Sequence, residues 1–289
     1  MKRNQTFNFT WIYFCAIFLS IFMSSCGEKK TENDLSKEKL EGKIKSLLTS
    51  EYVADPKTGN AMKDKLVFKE DWNYNENGFQ TEGKTYQILA NDTLSFKTVY
   101  KYDDRDRKIT WFQYEMDGSV SFKFTYTYDE NGHNTEESRF GHDMSLEYTI
   151  AHTYNDKDQI TEDNTINSGG SFNYKAKRTY DDKGNITEMS YYHANNVFDY
   201  KVTYAYDSKN NMVEEVGYRS KGGLNYKSKL KYDENNELIE KTDFNPQGVA
   251  KWKFTFKYGK EDSNGNWLEK TVMKDGVAIA VIERVITYY

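Results

Sequence analysis

The sequence predicts an all-β protein: an elongated, curled antiparallel β-meander of about eight two-stranded repeats with period 26, forming a single curled sheet or a partial shell. Three observations carry this. An anchor tyrosine returns every 26 residues at Tyr102, Tyr128, Tyr154, Tyr180, Tyr206, Tyr232 and Tyr258, after one interval of 28 from Tyr74. Side chains alternate before each anchor, as in Phe198, Tyr200, Val202, Tyr204 and Tyr206 on one parity and Asp199, Lys201, Thr203 and Ala205 on the other, which is the period of a strand. Residues that tolerate positive φ recur at two fixed places: Gly78, Asp106, Gly132, Asp158, Gly184, Asn210 and Asn236 four positions after the anchors, and Gly118, Gly170, Asn196, Gly222 and Gly248 sixteen after, with Met144 the exception.

In chain order, Lys2 and Arg3 precede an apolar run from Phe7 to Met23, too short and too aromatic to favour a permanent span, so residues 1–25 read as a signal peptide. The run ends in Met23-Ser24-Ser25-Cys26-Gly27, which resembles the lipobox of bacterial lipoproteins. That resemblance implies cleavage, lipidation of Cys26 and a membrane-anchored place in the bacterial cell envelope; an ordinary secretory peptide cut near Ser25 is the alternative. Cys15 leaves with the signal, so a lipidated mature chain holds no free thiol and no disulfide. Residues 26–40 are charged and read as a solvated tether. Residues 41–54 and 64–74 form the first hairpin of a single domain over 41–289, and Asn266 to Tyr289 form a variant last unit.

Composition narrows the function classes. Hydrophobic residues make up 37% and include 24 Tyr, so a thick aliphatic core is not expected, while 17 Phe and 5 Trp argue against disorder. Cleavage would remove two basic residues and move the net charge from −5 to −7, which disfavours a nucleic-acid partner. No G-x-S-x-G elbow, phosphate-binding glycine loop or H-E-x-x-H motif is present. His133, His142, His152 and His193 are scattered, and Asp262, Asn264 and Asn266 fit a turn better than a calcium loop. The expectation is therefore a protein without cofactor, metal or catalytic residues.

Both connections in each repeat read as three-residue loops closed by a left-handed residue. Such a loop sets each anchor opposite the residue six later, and the residue two before it opposite the one eight later. Ile160, Ile186, Met212 and Leu238 then join the aromatic face, as do Tyr86, Tyr114, Phe140, Ile166, Tyr192, Tyr218 and Phe244. So does a column of acids eight after the anchors: Glu82, Glu136, Glu162, Glu188, Glu214 and Glu240. His152, Arg178, Tyr126 and Tyr204 fall opposite four of these acids. The column is either paired within the sheet, or an acidic stripe among rings, Tyr126 and Tyr204 included, suited to sugar hydroxyls or cationic groups. Lys97, Lys123, Lys175, Lys201, Lys227 and Lys253 form a basic column on the opposite, wetter face.

Tyr126-Thr-Tyr-Asp-Glu-Asn-Gly132, Tyr204-Ala-Tyr-Asp207 and Tyr100-Lys-Tyr-Asp103 resemble YD repeats of the RHS type. The resemblance covers roughly residues 41–289 and implies a long antiparallel sheet of hairpins on a surface or toxin-delivery protein. Taken together, these features predict a non-catalytic cell-envelope lipoprotein that acts as a binding or structural scaffold for glycan or protein. The alternatives are a protective, immunity-type lipoprotein that captures a protein toxin, and an envelope hydrolase.

Overall fold

The computed structural model describes residues 33–88 and 93–289; the expected signal peptide and the expected lipidation site Cys26 lie outside the described residues. A short helix α1 (Asp34–Lys37) is followed by eighteen strands. They are β1 (Ile44–Ala54), β2 (Ala61–Tyr74), β3 (Gln80–Ile88), β4 (Thr93–Tyr102), β5 (Lys108–Glu115) and β6 (Val120–Tyr128); β7 (Asn134–Phe140), β8 (Leu146–Tyr154), β9 (Ile160–Asn167), β10 (Phe172–Tyr180), β11 (Ile186–His193) and β12 (Val197–Tyr206); and β13 (Met212–Arg219), β14 (Leu224–Tyr232), β15 (Leu238–Phe244), β16 (Ala250–Tyr258), β17 (Glu269–Lys274) and β18 (Val277–Tyr288).

Each strand pairs antiparallel with the next in sequence, and β18 returns to pair with β1, for example Leu47 with Ile286 and Tyr52 with Val281. The sheet is thus a closed 18-stranded up-and-down barrel, and the expected open meander or partial shell is corrected. Closure removes both sheet edges, which an open meander would leave as unpaired backbone. Eighteen strands spaced by ~4.8 Å give a perimeter of roughly 86 Å, hence a backbone diameter of about 28 Å for upright strands and more for tilted ones.

The turns follow their expected chemistry. Gly78, Gly132 and Gly184 have φ of +84°, +89° and +91°, and Met144, the sequence exception, still takes φ +62°. From Tyr74 to Tyr232 the Asp or Asn after the anchor locks its turn from the side chain: Asp181 Oδ1 accepts from the amides of Lys183 and Asn185 at 2.9 and 2.8 Å, and Asp207 Oδ1 does the same for Lys209 and Asn211. From Tyr128 to Tyr258 each anchor hydroxyl donates to a carbonyl twenty residues earlier, as Tyr128 to Lys108 at 2.8 Å, Tyr154 to Asn134 at 2.8 Å and Tyr206 to Ile186 at 3.0 Å, and Tyr102 donates to Gln80 O across the longer first interval. That carbonyl belongs to the residue six after the preceding anchor. The tyrosine column therefore ties each repeat to the one before it.

The register departs from expectation one step beyond the turn. Tyr128 faces Asn134 as predicted, but Thr127 faces Glu136 and Tyr126 faces Glu137, and a register shift recurs at this place, as at Thr153/Tyr154, Thr179/Tyr180 and Lys231/Tyr232. Two residues, seven and eight after the preceding anchor, oppose one, which makes a β-bulge. Beyond a bulge the parity inverts, so every later side chain changes face. A second shift lies near the other end of the hairpins, as between Gln113/Tyr114 and Gly217/Tyr218. Paired bulges increase strand twist and coiling, which is what a closed sheet requires.

Residues 33–40, expected to be tether, instead pack against the end of the barrel that carries the anchor turns. Leu35 and Leu40 are buried with Ile44, Leu47 and Tyr74. The segment spans that end: Asn33 Nδ2 reaches Asn77 O at 2.7 Å, Lys39 Nζ reaches Asn236 O at 2.8 Å, and Glu41 and Asn266 exchange two hydrogen bonds of 2.8 and 2.9 Å. Two leucines among many charges supply the apolar contact that holds it.

Candidate functional site: the lumen wall

The bulges decide which groups point into the barrel. The acids expected on the aromatic face lie outside. Glu82 pairs with Lys97 at 2.8 Å, Glu162 with Lys175 at 3.0 Å, Glu188 with Lys201 at 2.7 Å, Glu214 with Lys227 at 2.7 Å and Glu240 with Lys253 at 2.9 Å. Glu136 accepts from Ser138 Oγ at 3.1 Å. The glutamate and lysine columns of the sequence are therefore two halves of one outer ladder. Tyr114, Phe140, Tyr192, Tyr218 and Phe244 lie on this outer face too, opposite or beside lysines; Lys123 sits 5.4 Å from the Phe140 ring and Lys201 sits 5.7 Å from Tyr218. A lipid-facing wall would cost about 2–4 kcal/mol for each midplane lysine. The outer wall is built for water.

Ile186 and Met212, six after their anchors, point inward and are buried, as expected. Tyr126 and Tyr204 also point inward, as expected, but their partners are Glu137 and Glu215, one residue beyond the predicted acids. Sequence reasoning missed these acids together with Asp163, which faces His152. The signal was present in the doublets Thr81-Glu82, Thr135-Glu136, Thr161-Glu162 and Thr187-Glu188, where two successive polar residues break the period of two.

On the wall formed by β7 to β10, His152 Nδ1 donates to Asp163 Oδ1 at 2.7 Å, Nε2 lies 3.5 Å from Glu137 Oε1, and Arg178 Nη2 donates to Asp163 Oδ2. Burial alone would lower the His152 pKa; Asp163 and Glu137 outweigh it and raise the imidazole to about 9. Burial likewise opposes ionisation of Asp163, yet His152 and Arg178 hold its carboxyl below the usual range. At neutral pH His152 and Asp163 are both ionised and Asp163 is held by His152 and Arg178, while His152 Nε2 and Arg178 Nη1 are buried without a hydrogen-bond partner among the described residues; the arrangement is suited to fixing a wall rather than to moving a proton. Elsewhere inside the barrel, burial lowers Lys270 on β17 to about 8, and in the segment packed over the barrel end it raises Glu38 to about 7.

Aromatic groups flank this charged wall. On one side Trp72 stacks on Tyr100 at 5.8 Å with planes 7° apart, and Trp111 stacks on Phe124 at 5.0 Å. On the other, Tyr191 stacks on Tyr200 at 4.3 Å, and Tyr226 OH donates to Glu215 Oε1 at 2.6 Å. Ring contacts among the described residues join strands no more than two apart, and most inward rings keep part of their surface, so they line a lumen rather than fill it. Ile44 is the one large side chain fully buried among the described residues. The same residues contain no group of three or more His, Cys, Asp or Glu placed to hold a metal ion.

Fold and site together define a water-facing β-barrel with an aromatic lumen, closed in part at one end by its own N-terminal segment. No family model and no curated protein matches the chain. Among solved structures it is similar to a porin-like protein from Bacteroides uniformis, at 12% identity and TM-score 0.43 over 84% of this chain and 96% of that one. It is also similar to a porin-like protein from Bacteroides vulgatus, at 11% identity and TM-score 0.35 over 71% and 97%. A third likeness is to the TcdB2-TccC3 complex without its hypervariable C-terminal region, at 14% identity and TM-score 0.31, over 75% of this chain and 14% of that one. Nothing about function passes to this chain from likenesses of this order.

Proposed function

We propose that the protein is a non-catalytic cell-envelope lipoprotein, anchored through Cys26, whose lumen binds a glycan. The observation that supports this best is the recurrence of an inward tyrosine directly opposite a carboxylate in separate repeats, Tyr126 with Glu137 and Tyr204 with Glu215. Ring faces offer stacking to the apolar faces of sugars, and carboxylates accept their hydroxyls. The anchor favours one orientation. Cys26 lies seven residues before Asn33, which is fixed at the partly plugged end, so that end faces the membrane and the other end faces away.

A second function, capture of a protein, draws on the far rim. Met116, Val197, Val249 and Val277 are 50%, 59%, 60% and 49% exposed there, in or beside the turns. A binding screen of the full-length protein against immobilised oligosaccharides and envelope proteins separates the two. Binding to glycans, competed by soluble sugar, is the expected result; binding only to proteins would replace the glycan function with the second. Cys26→Ser should abolish lipid labelling and release the protein from membranes, and labelling that persists would refute the anchor.

A further inference from the structure

Two glycines stand on the inward face in the middle of strands, where neither has a positive φ to explain it: Gly83 on β3 and Gly217 on β13. Each faces an aromatic residue in register, Gly83 opposite Trp72 and Gly217 opposite Tyr226. In both places the ring covers its glycine. A Cβ on Gly83 would lie 2.5 Å from Cε3 and Cζ3 of Trp72, and a Cβ on Gly217 would overlap Cε1 of Tyr226. Glycine in a strand interior weakens it by the loss of side-chain packing and by backbone entropy, and it often marks a place where something approaches closely. Here what approaches is the ring of the neighbouring strand. Leaning across Gly83 also lets Trp72 on β2 reach Tyr100 on β4, two strands away.

We propose that Tyr226 over Gly217, with Glu215 beside it, is a stacking subsite for a pyranose ring of a neutral glycan; Trp72 over Gly83 repeats the construction, but its ring is packed against the cluster of Leu35, Leu40, Ile44, Leu47 and Tyr74. The subsite rests on the glycan function proposed above and gives it a place on the wall. A ring laid against the wall, instead of standing out from it, leaves one face toward the lumen and occupies little of the lumen's width. Sugar C–H groups meet that electron-rich face. Glu215, already holding the Tyr226 hydroxyl at 2.6 Å through Oε1, fixes the ring in its plane and keeps Oε2 to accept a sugar hydroxyl. Tyr204 faces Glu215 from the other side, and its own hydroxyl turns to Met189 Sδ at 3.7 Å rather than to the acid.

The test is isothermal titration of the full-length protein with maltohexaose, cellohexaose and laminarihexaose as probes. Gly217→Ala adds one carbon and pushes the ring off the wall. Gly223→Ala adds the same carbon where nothing lies within 4 Å and serves as the control. For a probe bound by the unaltered protein, Gly217→Ala should weaken binding at least about tenfold and Gly223→Ala should leave it unchanged. Tyr226→Leu, which removes the ring without adding a clash, should match Gly217→Ala and covers the case in which Gly217→Ala does not fold. Binding by the unaltered protein that survives both Gly217→Ala and Tyr226→Leu overturns the subsite while leaving the glycan function standing. No binding of any probe by the unaltered protein overturns both.

Discussion

Glu162 and Asp163 are neighbours in sequence on opposite faces of one strand, and removing each charge in turn should have unequal consequences. Asp163 is tied to His152 and Arg178 inside the barrel, with side chains only 16%, 6% and 17% exposed. Glu162 meets Lys175 and Lys177 at 3.0 and 3.5 Å on the wet face. Breaking a buried pair strands its partners and costs roughly 3–5 kcal/mol, whereas an exposed pair contributes at most about 1. Asp163→Asn should therefore cost about 3 kcal/mol and Glu162→Gln less than about 1, read by urea unfolding at pH 6. The pH dependence sharpens the contrast. The raised pKa of His152, from 6.5 to about 9, contributes stability that is complete below pH 6.5 and lost as pH rises through 9. The shift corresponds to about 3 kcal/mol at about 1.4 kcal/mol per unit. Asp163, with its pKa held low, contributes stability that is present above the ordinary carboxylate range and lost as pH falls through its folded value. Asp163→Asn should then flatten the loss of stability between pH 6.5 and 9. Equal costs at the two positions, or an unchanged alkaline profile in Asp163→Asn, would refute the assignment of faces.

Other consequences follow from the turns and the tyrosine column. Met144 holds a left-handed φ of +62°, so Met144→Gly should raise stability by about 0.5–1 kcal/mol, seen as a higher urea midpoint, and a loss of stability would argue that the strain is absent. Gly184→Val, which forces a β-branched side chain into φ +91°, should cost roughly 1–2 kcal/mol or more. Tyr206→Phe removes the 3.0 Å bond to the Ile186 carbonyl and should cost about 1 kcal/mol in the same assay; no cost would mean that the hydroxyl does not tie the repeats.

Strands and turns were legible because their chemistry is local. Alternation needs only neighbours, and positive φ selects Gly, Asn or Asp at Gly132, Asn210 or Asp158 without reference to the rest of the chain. The bulge was not legible from the loop alone. Its extra residue is an ordinary strand residue, Thr135, Thr161 or Val213, and only the following glutamate breaks the alternation. That single step moved Glu136, Glu162, Glu188 and Glu214 outside and brought Glu137, Asp163 and Glu215 in. Closure was hidden for a different reason: it depends on β1 meeting β18, a pairing between the two ends of the domain set by coiling summed over every repeat. The part played by Leu35 and Leu40 in the plug was masked by the charged residues around them.

Closure is tested most directly by linking the first strand to the last. Ser46 Oγ and Thr287 Oγ1 lie 2.6 Å apart across the β1–β18 seam, whereas in an open sheet of the same strands the two ends would stand roughly 80 Å apart. With Cys15 and Cys26 replaced by serine, Ser46→Cys with Thr287→Cys should form an intramolecular disulfide under mild oxidation, seen as a monomer of altered mobility on a non-reducing gel and a mass lower by two hydrogens. A pair that stays reduced, or that yields only cross-linked dimers, would contradict the closed barrel.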